Sequence, residues 1–226
     1  EHRYGENVTI LDSPTLNGLL AQLSSPDTVQ PRINQLLRRL YGALFRSVVD
    51  QEATTVTDPV TFEVVKNTLY KAAEEMKIVL AKTAYSPILK VAGDYSCGIF
   101  DTDGNMVAQG PDLPIHLGSM PDAVAAVIGK FKDSAVEGDV YIHNDPYFGG
   151  SHLPDVNVIA PAFYDEMILG WTCVRAHWPD IGSATPGSYG AVTEIYGEGL
   201  RMPPIRLYHG GEIDSNVEDL IMANVR

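Results

Sequence analysis

The chain of 226 residues is 45% hydrophobic and 20% charged, which suits one large globular domain or two small ones. Its formal charge of −13 repels phosphate backbones and anionic lipid, and its densest basic stretch, residues 32–46, reads as a helix surface, so neither nucleic acid nor a membrane is an expected partner. Cys97 and Cys173 are too few for a disulfide framework and are not spaced as a zinc knuckle, so a reducing cytoplasm is the expected compartment and both thiols read as buried small hydrophobes.

In chain order, residues 1–6 have neither the basic start nor the apolar stretch of a secretory signal, and no apolar run approaches the ~20 residues that span a bilayer. The first residue is not Met and the last ones, Asn224-Val225-Arg226, carry no stop signal, so the chain is expected to be part of a longer polypeptide. A strand candidate at 8–11 and helical spacing over 15–23 and 33–49 predict a helical arm or accessory segment over residues 1–55. A second domain is expected over 56–226.

Asp58-Pro59 punctuates the chain, and residues 61–83 then read as one helix with Phe62, Val65, Leu69, Ala72, Met76, Val79 and Leu80 on one face. Short strands follow at 97–100 and 106–108, separated by the hairpin turn Asp103-Gly104-Asn105. Pro121 is expected to open a second helix through Phe131. Residues 140–142, 156–160 and 167–176 read as further strands, and 179–206 as an ordered loop rich in Gly and Pro. The fold class these elements predict is α+β, with mixed sheets of short strands and packed helices, preceded by the helical arm.

The chemistry concentrates in Asn144-Asp145-Pro146-Tyr147-Phe148-Gly149-Gly150-Ser151-His152-Leu153-Pro154-Asp155, where an imidazole and a carboxylate stand three apart in a Gly-rich loop leading into a strand. A further imidazole, His177, follows the next apolar strand, and a hairpin folds it back towards the first pair. Two His and one carboxylate is a common ligand set for Zn, Mn or Fe with positions left open. The plainer alternative is that these side chains only tie loops together by hydrogen bonds. No Gly-x-x-x-x-Gly-Lys-Ser/Thr loop and no Gly-x-Gly-x-x-Gly after a strand is present, so a nucleotide would have to be bound elsewhere.

From Asp58 onward the chain also carries Asp58-Pro59-Val60-Thr61, Gly93-Asp94-Tyr95-Ser96-Cys97, Phe100-Asp101-Thr102-Asp103-Gly104, His116-Leu117-Gly118-Ser119-Met120, Gly149-Gly150-Ser151-His152-Leu153-Pro154-Asp155 and Thr193-Glu194-Ile195-Tyr196-Gly197-Glu198-Gly199. In this order and spacing it resembles the start of the hydantoinase B / 5-oxoprolinase / acetone carboxylase alpha superfamily. The resemblance implies a divalent transition metal (Zn, Mn or Fe) held by Asp94, His152, Asp155 and His177. It also implies ATP bound on a hydantoinase-A-type partner subunit in a hetero-oligomer. Many relatives carry two adjacent His where this chain has His177-Trp178, which leaves Trp178 either as part of a flatter, more apolar substrate site or simply as a packed tryptophan.

Further residues are candidates for the catalytic machinery. His116 is either a loop anchor or the partner that orients a ligand, Asp180 is placed to orient the loop after His177, and Glu194 with Glu198 are either acids near the substrate or loop carboxylates paired with Arg201 and Arg206. The function implied is the metal-site subunit of an ATP-dependent amidohydrolase opening a lactam or cyclic ureide. Two alternatives stand beside it: a subunit of an ATP-dependent ketone carboxylase, and a non-catalytic interaction module, which metal content after dialysis would reveal.

Overall fold

The computed structural model describes residues 58–188 and 190–226; the helical arm expected over 1–55 lies outside the described residues. The chain divides into two compact units, residues 1–68 and 69–226. Of the first, the description covers only the opening of helix α1, Pro59–Thr83. Asp58 starts that helix, its carboxylate accepting from the backbone N–H of Val60 (3.2 Å) and Thr61 (2.9 Å), with Pro59 in the first turn where its missing N–H costs nothing. Along the expected apolar stripe, Phe62 and Val79 remain exposed, and Ala73 is the residue that α1 buries.

The second unit is a seven-stranded sheet in the order β2-β1-β5-β4-β3-β6-β7. Its strands are β1 (Tyr95–Phe100), β2 (Met106–Gln109), β3 (Val140–His143), β4 (Asp155–Tyr164), β5 (Met167–His177), β6 (Ile205–His209) and β7 (Glu212–Ile213). Every pairing is antiparallel, and the short strands of the sequence reading join one sheet. With α2 (Pro87–Lys90), α3 (Pro114–Phe131) and α4 (Ser215–Asn224) packed beside it, the fold is α+β as expected. Among the described residues no helix is long and apolar enough to cross a membrane.

The sheet is buried on both faces. Alternate residues Phe100, Tyr141, Ile159, Trp171 and Cys173 point to one face, where Met120, Val124 and Val127 of α3 cover them. The opposite face packs Ile142 and Val156 against Met202 and Ile221, the latter from α4. α4 is started by Asp214, which accepts from the N–H of Asn216 and Val217. Both cysteines are buried and unpaired, and burial pushes each thiol up to about 12, so neither is a reactive thiolate.

Helix α3 corrects the sequence reading. It begins at Pro114 and carries Pro121 inside it, so the helix opens seven residues before the expected start and includes His116. Pro114 sits at the first helical position, and an internal proline removes one backbone bond that the packing of Met120 and Val124 outweighs.

Candidate metal centre

The sheet's alternation sets the site. On the face under α3, Ser96, Arg175, Asn157 and His143 lie side by side across β1, β5, β4 and β3, as the pairings Ser96 to Arg175, Arg175 to Asn157 and His143 to Asn157 require. One step further along the same face, Asp155 of β4 is paired with His177 of β5. Asp94 precedes β1 and its carbonyl accepts from the His177 N–H at 3.0 Å, so three separate segments end at one point.

His152 reaches that point through a tightly folded loop. Asp145 caps the turn Pro146–Phe148 by accepting from the Tyr147 N–H (3.0 Å), and its carbonyl accepts from Gly150 N (3.1 Å). Asn144 closes the loop from beneath: its amide donates to the carbonyls of Leu153 (2.7 Å) and Leu200 (2.8 Å), and its oxygen accepts from Met202 N (2.7 Å). Gly149 adopts φ 84°, and a Cβ there would sit 2.4 Å from the backbone N of Ala123 in α3, so only glycine allows this approach.

Asp155 is the hub of the cluster. Its oxygens lie 3.3 Å from His116 Nε2, 3.0 Å from His152 Nδ1 and 3.3 Å from His177 Nδ1, and it accepts a hydrogen bond from Ser151 Oγ. Asp94 flanks the same space, 3.5 Å from His116 Nε2 and 3.9 Å from His177 Nδ1. The far side of His116 is fixed by Ser96, whose Oγ is 3.0 Å from Nδ1. Burial by itself would raise the Asp155 carboxyl, but hydrogen bonds from His116, His152, His177 and Ser151 hold it far below the usual carboxylate range. His152 is shifted upward, chiefly by its hydrogen bond to Asp155.

This donor set fits a divalent transition metal. His152, Asp155 and His177 each offer an atom within 4.8 Å of the others, an N,N,O combination of the kind that Zn, Mn and Fe select. Asp155 and His177 are buried while the His152 side chain is 49% exposed, so the cluster is open to solvent on one side. Asp94 and His116 border it as a fourth carboxylate-side and a fifth imidazole-side neighbour.

The other sequence candidates lie differently. The Asp180 carboxylate accepts from Gly182 N (2.7 Å) and Gly187 N (2.9 Å) and pairs with Arg226, which makes it the anchor of the loop after His177. Glu194 is exposed at the start of the turn Ile195–Glu198, and it is Glu198 whose charge reaches His152. Arg201 pairs with Asp145 and Arg206 with Asp139, in place of the glutamate pairings considered from sequence. Trp178 packs against the Ile142 and Val156 cluster, the sheet face opposite His177. His143 is fully buried in the polar row. Arg175, Asn157, Ser96 and Ser151 were not singled out by sequence; the signal was an arginine on the inward phase of β5, at the same parity as Trp171 and Cys173.

The profile of the family described as Hydantoinase B/oxoprolinase matches residues 58–226. The chain is 42% identical over 170 residues to the caprolactamase subunit beta of Pseudomonas jessenii, a match covering 75% of this chain and 29% of that protein. The crystal structure of the ATP-dependent caprolactamase from Pseudomonas jessenii aligns with TM-score 0.71 at 42% identity, over 76% of this chain and 30% of that one. A nucleotide-free acetone carboxylase structure shares the fold, with TM-score 0.70 at 19% identity over 84% of this chain and 26% of that one. The chain thus spans about 30% of the length of the caprolactamase chain it matches.

Proposed function

Because the chain belongs to the hydantoinase B/oxoprolinase family, we propose that it provides the metal centre of an ATP-dependent enzyme that opens a lactam or cyclic ureide. The observation that carries the reading is the convergence of His152, Asp155 and His177 on one space, with Asp94 and His116 beside it. In this reading Asp94, His152, Asp155 and His177 hold a divalent Zn, Mn or Fe ion. Such an ion, when bound, activates water and stabilises negative charge developing on oxygen.

The chain's own residues supply the rest. Asp155 keeps its charge because its partners depress its proton affinity, so it remains a ligand at any physiological pH. Ser96 fixes the ring of His116, leaving Nε2 aimed at the carboxylates of Asp155 and Asp94, where it holds or moves a proton next to the reacting groups. His152, half exposed, marks the side from which substrate enters. Asp180 acts through the loop that follows His177, and Glu194 lies on the outer rim, one turn of chain from the nearer Glu198.

A lactam resists hydrolysis because amide resonance is lost in the transition state. Phosphorylation of the amide oxygen on a hydantoinase-A-type partner subunit would remove that resonance before the ring reaches this centre; water added at the carbonyl carbon would then let the C–N bond break, with the ring nitrogen leaving as the amine and the acyl phosphate hydrolysed to carboxylate and phosphate. The name of the caprolactamase subunit beta supports a two-subunit arrangement. The carboxylase reading rests on a likeness of fold at 19% identity, whereas the hydrolase reading rests on 42%.

The test uses the chain co-purified with its partner. Elemental analysis after dialysis is expected to give about one Zn, Mn or Fe per chain, and chelation is expected to stop turnover until metal is returned. ATP hydrolysis should be triggered by 5-oxoproline, hydantoin or caprolactam and not by acetone with bicarbonate. Absence of any transition metal would end the metal reading and favour an interaction module; stimulation by the ketone alone would replace the hydrolase with a carboxylase. His177→Ala is expected to abolish turnover while partner assembly and ATP binding persist.

A further inference from the structure

One side chain belongs to, or bonds to, each of the segments that bring His116, His152, Asp155 and His177 to the cluster. Arg175 is fully buried on β5, on the same face as His177. Its Nε donates to Asn157 Oδ1 at 2.7 Å, on β4 and on the same face as Asp155. Its Nη1 donates to the carbonyl of His116 at 3.1 Å and to Ser119 Oγ, both in α3. Its Nη2 donates to the carbonyl of Gly149 at 3.2 Å, at the head of the loop that delivers His152, and at 3.5 Å to the carbonyl of Ser119. A guanidinium is the one side chain that can do this, because its donors diverge in a rigid plane.

A buried cation is costly to hold, and these partners are an amide, a hydroxyl and backbone carbonyls. If stability were the only demand, an apolar residue in line with Trp171 and Cys173 would serve better. We propose that Arg175 is a positioning residue: it sets the mutual spacing of His116, His152, Asp155 and His177 by bonding to the backbone or neighbour of each of their segments. The inference rests on the metal reading above and adds to it the device that pre-organises the ligands before an ion arrives. Groups that orient ligands in this way typically change metal affinity by about 10–100-fold when removed.

The experiment compares Arg175→Lys, Asn157→Ala and Ile159→Val in the full chain with its partner. Zinc affinity is measured by competition with a chelator, and the melting midpoint is measured on the metal-free protein. Lysine keeps the charge but cannot span the diverging acceptors, and Asn157→Ala removes one of them, together with the Asn157 amide's bond to the His143 carbonyl; both are expected to weaken zinc by about 10–100-fold. Ile159→Val, on the same face of β4 but inside the apolar cluster, lowers the midpoint and leaves zinc affinity unchanged. Should Arg175→Lys fail to fold, Asn157→Ala decides. Wild-type affinity in Asn157→Ala, or a loss in Ile159→Val equal to that in Arg175→Lys, overturns the proposal and makes Arg175 structural only. A wild-type protein that binds no zinc, manganese or iron defeats the metal reading instead.

Discussion

The two ends of the sheet face beneath α3 are built from the same strands and the same helix, yet they obey opposite rules. At one end β5 presents Trp171 and Cys173, β4 presents Ile159, β3 presents Tyr141, and α3 lays Met120, Val124 and Val127 over them. At the other end, the same inward phase of β5 and β4 presents Arg175, His177, Asn157 and Asp155, with His116 from the start of α3. The first end is stabilised by removing apolar area from water. The second buries charge and amide, which costs free energy unless every group is paired. A fold that keeps both on one continuous surface uses the apolar end to hold the polar end in place, which is where a reactive site departs from what stability alone would select.

The sharpest way to test that division is to damage the apolar end and look at the other. Trp171 is fully buried at the centre of the cluster, 6.1 Å from the Tyr141 ring. Trp171→Ala is expected to cost about 3–5 kcal/mol by denaturant titration. Metal content per folded molecule is expected to stay at the wild-type level. Metal loss at denaturant concentrations where the chain is still folded would show that the two ends are not separable.

The polar end makes its own prediction through His143. Burial lowers this imidazole from 6.5 to about 4; the nearby backbone of Ala123 opposes it, the Arg175 charge adds to the lowering and Asp145 opposes it. Neither ring nitrogen makes a hydrogen bond of good geometry. The unfolded chain therefore takes up this proton before the folded one does. The contribution is fully present above pH 6.5 and is lost as pH falls to about 4, a difference of about 3 kcal/mol. His152 works in the opposite sense and in a different window: its upward shift favours the folded state fully below pH 6.5, and that contribution is lost as pH rises above 6.5. The comparison that isolates His143 is therefore His143→Phe. Its ring leaves no unpaired nitrogen, and it should be more stable than the wild type at pH 4.5 and closer to it at pH 7.5. Parallel pH curves for the two proteins would show that His143 carries a partner.

How much of this was legible in the sequence follows the same division. The apolar end was readable, because strands 97–100, 156–160 and 167–176 announce themselves by apolar runs and lie within β1, β4 and β5. The Gly-rich loop and its His and Asp were readable from residue type, and the fold brings His152, Asp155 and His177 together. Asp94 came only by resemblance, since its proximity depends on β1 pairing with β5 across a long separation in sequence. The start of α3 was misread because Pro121 looks like a helix opener and Pro114 like part of a turn, whereas packing decided between them. Arg175 was passed over because periodicity assigns its face but not its partners, which come from α3, β4 and the 149 loop. β6, β7 and α4 follow a segment poor in pattern, and pairing with β3 supplies the order that local sequence lacks.

The smallest effect is expected where the apolar end meets polar chemistry, at Tyr141. Its ring stacks on Phe131 at 4.5 Å inside the cluster, while its hydroxyl donates to Asp139 at 2.7 Å, and burial first, then that bond, pushes the phenol up to about 12. Asp139 does not depend on the tyrosine: it also accepts from Gly210 N (3.0 Å) and Val136 N (3.2 Å) and contacts His209 Nδ1 (2.9 Å) and Arg206 Nε (3.2 Å). Tyr141→Phe keeps the ring and removes one of several bonds to an already satisfied carboxylate, so the loss is expected to be about 1 kcal/mol. Asp139→Ala strands the hydroxyl, the imidazole and two backbone N–H groups at once and is expected to cost several times more. Denaturant titration of the two variants decides the matter. Equal losses would mean that the bonds of Asp139 to Val136, Gly210 and His209 add nothing beyond its bond to the Tyr141 hydroxyl.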